Sequence, residues 1–174
     1  MIPKIKVWDK VTKRVAEVDV IYFEMKSVWI RFRISDKLNH LDSRNFDEVE
    51  FIKSTGLKGY KDNNSEESDV FKGDIIDIFW EDYPMGYYRE NHLVGEVDLD
   101  ETGTAWIIKK AKYDFDTPRQ IPNEINGISV STGSPDDEDL EEIFLHDFNL
   151  SSDDIKILGN IYDNPDLIEQ EEDE

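Results

Sequence analysis

The chain has 174 residues, 38% of them apolar, with four Trp, seven Tyr and nine Phe: long enough for one domain with a substantial core, and too aromatic for a disordered polypeptide. The absence of cysteine excludes disulfides and thiolate metal sites, and no stretch approaches the ~20 apolar residues of a membrane span or an apolar leader, so a soluble cytoplasmic protein is expected. The formal charge of −21 is uneven: residues 1–60 hold 12 Lys/Arg against 9 Asp/Glu (+3) and residues 61–174 hold 8 against 32 (−24), which disfavours generic binding to nucleic acid or anionic membranes.

In chain order, Lys4-Ile5-Lys6-Val7-Trp8 alternates at period two, Asp9 to Lys13 has turn composition, and Val15, Val18, Val20 and Tyr22 continue the pattern. A β-hairpin is predicted. Val28-Trp29-Ile30-Arg31-Phe32-Arg33-Ile34 alternates more strictly, so Val28, Ile30, Phe32 and Ile34 are expected in the core and Trp29, Arg31 and Arg33 on the other face. With Lys26 and Lys37, that second face is a basic stripe containing an aromatic. It suits phosphates and a stacked base, but reads more simply as a solvated strand face paired with acids elsewhere in the chain.

Residues 36–47 lack periodicity and read as a loop or short helical turn, followed by a short strand at Val49-Glu50-Phe51-Ile52. Residues 54–70 are rich in Gly, Asn and Ser, end on Glu66-Glu67-Ser68-Asp69, and read as a long loop. The strongest signal follows at Phe71-Lys72-Gly73-Asp74-Ile75-Ile76-Asp77-Ile78-Phe79-Trp80: a Gly-Asp turn pair, then a β-branched and aromatic strand. His92 to Leu99 and Thr104 to Ile108, joined by a turn at Asp100-Glu101-Thr102-Gly103, complete a three-strand meander. Residues 81–91 between the first two strands form a loop in which Tyr83, Tyr87 and Tyr88 serve either as a recognition surface or, more simply, as a lid folded back on a barrel end.

Residues 111–134 read as a third long loop, with Asn126-Gly127 signalling a hairpin between short strands. Ser134 then has the character of a helix N-cap, Pro135 of a first helical residue, and Asp136-Asp137-Glu138-Asp139 of an acidic first turn. Leu140, Ile143, Phe144 and Phe148 lie at i, i+3, i+4 and i+8, predicting an acidic helix of about three turns. A last strand is expected at Ile155-Lys156-Ile157-Leu158. After it come side-chain turns at Asn160 and Asn164 with Pro165, a short helix begun at Pro165, and an acidic tail over 169–174. The fold class is therefore mainly β, a β-rich α+β chain: a small antiparallel barrel or sandwich with a C-terminal helix and short terminal turn, residues 1–168 forming one domain.

No nucleophile motif, phosphate-binding glycine loop or zinc spacing is present, and neither catalytic residues nor a cofactor or metal is expected. His40, His92 and His146 are too scattered to read as a ligand set. Asp74, behind a glycine at a strand start, is either a catalytic carboxylate or, more simply, an acceptor of backbone N–H groups that fixes the turn.

Three stretches in order carry a family resemblance: Ile5-Lys6-Val7-Trp8-Asp9-Lys10, then Thr55-Gly56-Leu57-Lys58 with Phe71-Lys72-Gly73-Asp74-Ile75-Ile76, then Ile157-Leu158-Gly159-Asn160-Ile161-Tyr162-Asp163-Asn164-Pro165-Asp166-Leu167. Together they resemble the YopX family of phage and prophage proteins. That resemblance implies a β-rich domain of phage or prophage origin, able to self-associate, and it supplies no activity that transfers residue by residue. The longer Leu57-to-Phe71 segment, with Glu66, Glu67 and Asp69, and the stretches 83–91 and 111–133 depart from the family pattern.

The functional expectation is a non-enzymatic accessory protein that binds a basic host protein through Glu66, Glu67, Asp69, Asp136, Asp137, Glu138, Asp139, Glu141 and Glu142. In its sharper form the acidic face imitates nucleic acid and blocks a host defence or nucleic-acid-binding protein. The alternative is a nucleic-acid-associated barrel using Trp29, Arg31 and Arg33.

Overall fold

A computed structural model of the chain describes residues 4–35, 38–61, 66–83, 88–116, 124–125, 128–129 and 143–164. It is strand-rich, as the alternation predicts. The first half holds β1 (Ile5–Asp9), β2 (Arg14–Tyr22), β3 (Ser27–Ser35), β4 (Leu38–Asn45) and β5 (Val49–Lys61). The second half holds β6 (Glu67–Phe71), β7 (Asp74–Asp82), β8 (Arg89–Leu99), β9 (Trp106–Asp116), β10 (Glu124–Ile125), β11 (Ile128–Ser129), β12 (Ile143–Phe144) and β13 (Ile155–Asn160). Eleven strands form one sheet in the order β12-β9-β8-β7-β13-β5-β1-β2-β3-β4, with β6 branching onto β5, and β10 and β11 form a separate hairpin. The sheet is an open path ending at β4 and β12, not a closed barrel.

The two halves share one plan. β1 to β4 pair consecutively, a 3-10 turn at Phe46–Glu48 follows, and β5 returns to pair with β1. Likewise β7, β8, β9 and β12 are successive neighbours, a 3-10 turn at Ser152–Asp154 follows, and β13 returns to pair with β7. Each returning strand starts the same way: Glu48 accepts the Asn45 N–H at 2.7 Å before buried Val49, and Asp154 accepts the Ser151 N–H at 2.7 Å before buried Ile155. A side chain reaching back to an N-cap amide satisfies a donor that a short turn would otherwise leave orphaned.

Each half buries its own apolar cluster. Val7, Ala16, Val28, Ile30, Phe32 and Val49 form one; Val70, Ile76, Ile78, Leu93, Val97, Ile108, Leu145, Ile155 and Ile157 contribute to the other. The long strand β5 joins them, pairing with β1 at its start and running parallel to β13 at Tyr60 and Lys61. Gly59 permits that approach, since a Cβ there would lie 2.7 Å from both the Ile155 Cγ2 atom and the Ile155 carbonyl oxygen.

Several expectations are corrected. Residues 36–47 are not a loop or helical turn, because β4 occupies Leu38–Asn45. The loop over 54–70 is largely strand, since β5 runs on to Lys61 and β6 begins at Glu67. Of the segments read as loops over 81–91 and 111–134, residues 81–82 belong to β7, 89–91 to β8 and 111–116 to β9. Ile34 is 59% exposed rather than core, because the β3–β4 register shifts between Arg33 and Ser35. The helical stripe does not hold where it is described: Ile143–Phe144 is a strand paired with β9, and Leu145–Asp147 is a 3-10 turn. Residues 130–142, including Ser134, Pro135, Leu140 and all six acids from Asp136 to Glu142, lie outside the described residues, as do Pro165 and the tail.

Candidate functional site

The three stretches that carry the family resemblance meet at the turn between β6 and β7. Gly73 adopts φ +80, its N–H donates to the Val97 carbonyl at 2.7 Å, and its own carbonyl accepts the Ile161 N–H at 2.9 Å. Lys72 N–H donates to the Lys53 carbonyl at 2.9 Å. The turn is thus stitched to β5, to β8 and to the segment after β13. A Cβ on Gly73 would lie 3.0 Å from the Tyr162 ring and 3.2 Å from Ile161, so both the left-handed backbone and the available space call for glycine.

The Asp74 Oδ2 atom accepts the Phe71 N–H at 2.8 Å, the turn-fixing role expected from its position behind a glycine. Opposite, the Lys6 ammonium stands 3.9 Å above the Phe71 ring, and Trp8 stacks on Tyr162 with centroids 5.0 Å apart. The Asn160 Oδ1 atom accepts the N–H groups of Tyr162 and Asp163 at 3.0 and 2.8 Å, forming the side-chain turn expected there. Lys6, Phe71, Lys72, Asp74, Asn160 and Tyr162 line a cleft of about 20 Å³, the size of one water molecule.

Burial dominates the electrostatics of this cleft. It raises Asp74 to about 6, against the opposing pull of the Phe71 N–H, Lys6 and Lys61, and it lowers Lys6 despite nearby Asp74. It also raises the Tyr162 phenol, helped by the Glu50 carboxylate 3.4 Å from its hydroxyl. A carboxyl and an amine both penalised by burial face a space too small for a substrate. The arrangement is a charge-sensitive joint between the two halves.

The residues expected to form an acidic surface are only partly described. Glu66 is exposed. Glu67 accepts from Lys58 at 2.9 Å and from the Ser152 hydroxyl at 2.9 Å, which together hold its carboxyl below the usual carboxylate range, and Asp69 is bound by Lys4. Asp136, Asp137, Glu138, Asp139, Glu141 and Glu142 lie outside the described residues. Tyr83 (63% exposed) and Tyr88 (41% exposed) meet edge to face at 5.7 Å, and the Tyr88 hydroxyl lies 2.6 Å from Glu90 and 2.9 Å from Glu81. Tyr87 is outside the described residues. On β3, Trp29, Arg31 and Arg33 occupy the face opposite buried Val28, Ile30 and Phe32, but Arg31 is engaged by Asp19.

No family model, no curated protein and no solved structure matches this chain. The YopX-like resemblance accordingly stands on its three motifs.

Two features were missed in the sequence. A buried ion pair joins Asp9 to Arg44 at 3.0 Å, and its only signal would have been an Asp opening a turn. The His92 Nδ1 atom lies 3.0 and 3.1 Å from the two Asp77 carboxylate oxygens, with the Phe79 ring beside it at 5.2 Å. His40 on β4 and His146 after β12 are on other elements, and among the described residues no group of three His, Asp or Glu side chains is placed to hold a metal. Among the described residues no helix is long and apolar enough to cross a membrane.

Proposed function

We propose that the chain is a non-enzymatic phage or prophage accessory protein, a YopX-like β-rich module of the host bacterial cytoplasm that acts by binding a basic protein. The observation that carries this reading is the division of charge, +3 over residues 1–60 against −24 over residues 61–174. A charge imbalance of that size raises the encounter rate with a cationic surface and repels phosphate backbones. The open sheet supports a binding role, because it presents extended strand faces.

The narrower reading, imitation of nucleic acid, calls for closely spaced carboxylates free of cations. Glu67 and Asp69 are already neutralised by Lys58 and Lys4, so the broader reading of an acidic protein-binding surface is preferred, with Asp136, Asp137, Glu138, Asp139, Glu141 and Glu142 as its main charges.

Retrieval of host proteins with the full chain at 50 mM and 500 mM salt tests this. A basic partner captured at low salt, lost at high salt, and lost when those six acids become Asn or Gln is the expected result. Retention of oligonucleotides by the chain, weakened by Arg33→Glu, would overturn it in favour of the Trp29, Arg31 and Arg33 face.

A further inference from the structure

The β4 edge of the open sheet is guarded along only part of its length. In an antiparallel pair alternate residues turn their N–H and C=O groups away from the partner strand; on β4, whose only ladder partner among the described residues is β3, these are Asn39, Leu41, Ser43 and Asn45. Side chains occupy the later ones. Asp42 Oδ1 accepts the Ser43 N–H at 2.9 Å, the Arg44 guanidinium donates to the Ser43 carbonyl at 2.9 Å, and Glu48 accepts the Asn45 N–H at 2.7 Å. No side chain of the described residues does the same at Asn39 or Leu41. β4 carries neither proline nor lysine, the usual protections of an exposed edge.

The surroundings of this open part fit a particular occupant. Leu38, Leu41, Ile34 and Trp29 are exposed large apolar side chains beside it. Arg33, directly across the ladder from Asn39, is exposed and has no carboxylate within 4 Å among the described residues, although the chain holds 41 acidic residues. A cation with no carboxylate partner among the described residues, next to outward-facing backbone donors and acceptors, matches an incoming strand that brings its own carboxylate. We propose that Asn39–Leu41 is a strand-addition site for an extended, antiparallel peptide segment whose backbone pairs with Asn39 and Leu41; Trp29, Arg33, Asn39 and Leu41 share one face of the sheet, so the segment turns to that face aliphatic side chains over Leu41 and Trp29 and, next along the same face, a Glu to Arg33. This surface is distinct from the acidic region and takes a ligand of opposite charge.

The test uses a fluorescein-labelled heptapeptide Thr-Val-Thr-Val-Thr-Glu-Thr, which carries both Val and the Glu on one face, titrated with the full chain and read by anisotropy, beside the same peptide N-methylated at alternate backbone nitrogens. Saturable binding is expected that N-methylation abolishes and that Arg33→Glu weakens by about tenfold or more. Asn39→Pro removes an outward N–H without breaking the ladder to β3, so it also lowers affinity while leaving the far-UV spectrum unchanged. Absence of binding at millimolar peptide, equal binding of the N-methylated peptide, or displacement of the peptide by single-stranded oligothymidine would each overturn the proposal.

Discussion

The Arg44 Nε atom donates to Asp9 Oδ1 at 3.0 Å, fastening the edge strand β4 to the end of β1. Asp9 is wholly buried and also accepts the Val11 N–H at 3.0 Å and the Thr12 hydroxyl at 2.7 Å, while Arg44 makes a second bond, to Asp42, at 2.6 Å. Burial alone would raise the Asp9 carboxyl; the Arg44, Thr12 and Val11 hydrogen bonds outweigh it and hold the group below the usual carboxylate range. Arg44→Met therefore strands a buried charge and is expected to cost about 3 kcal/mol at pH 7, with Asp9→Asn added to Arg44→Met recovering part of the loss. Because the folded-state value is depressed, the stabilisation is present above the unfolded carboxylate's titration and fades as pH falls through the folded one. Urea midpoints at pH 7 and pH 3 check both points: the wild-type advantage over Arg44→Met should shrink at the lower pH.

Asp74 has the opposite sign. Its value is raised to about 6 by burial, so its ionisation opposes folding: the contribution is fully favourable below about pH 4 and is lost as pH rises through 6. Asp74→Asn keeps an oxygen for the Phe71 N–H and removes the charge. It is expected to stabilise the chain by about 2–3 kcal/mol at pH 7.5 and to leave it unchanged at pH 4. Thermal unfolding of both proteins across that range measures it. A wild-type midpoint that does not fall between pH 4 and 7.5 relative to Asp74→Asn would show that burial does not control this carboxyl.

Gly73→Ala tests the stitched turn. The substitution forces a left-handed residue to carry a Cβ within 3.0 Å of the Tyr162 ring and 3.2 Å of Ile161. Loss of about 1–3 kcal/mol is expected. Since Tyr162 stacks on Trp8 at 5.0 Å, the change should also alter the tryptophan emission of the folded protein. By contrast, Gly103→Ala, at φ +70 with nothing near its Cβ, bears backbone strain alone and should cost less.

What could be read from the residues follows from how local each determinant is. Strict alternation placed Val28, Ile30 and Phe32 inside, and the Gly73-Asp74 pair marked the start of β7, because both depend on neighbours in sequence. β4 was illegible: as an edge strand it buries none of its eight residues, so Leu38-Asn39-His40-Leu41 shows no periodicity to read. The apolar spacing at Ile143, Phe144 and Phe148 fits a helix face as well as a two-residue strand running into a 3-10 turn, and pairing with Ile107 and Ile108 on β9 decided between them. Asp9 and Arg44 lie 35 positions apart, and only the sheet brings them together. The joint at Lys6, Asp74 and Tyr162 was visible as three separate motifs but not as one place.

The repeated plan of the two halves had a sequence trace in Asn45-Phe46-Asp47-Glu48-Val49 and Ser151-Ser152-Asp153-Asp154-Ile155. In both, an acid three residues on caps the amide of the first residue, and a buried β-branched side chain follows. If the two turns do the same work, Glu48→Ala and Asp154→Ala should each lower stability by about 1 kcal/mol. Because the turns belong to separate apolar clusters, the two losses should add to about 2 kcal/mol in the double variant. Chemical denaturation of the three variants measures this. A loss confined to one turn would show that only that half depends on its cap. A double variant no worse than either single one would show that both turns act on a shared element, for which the long strand β5, the continuous link between the clusters, is the place to look.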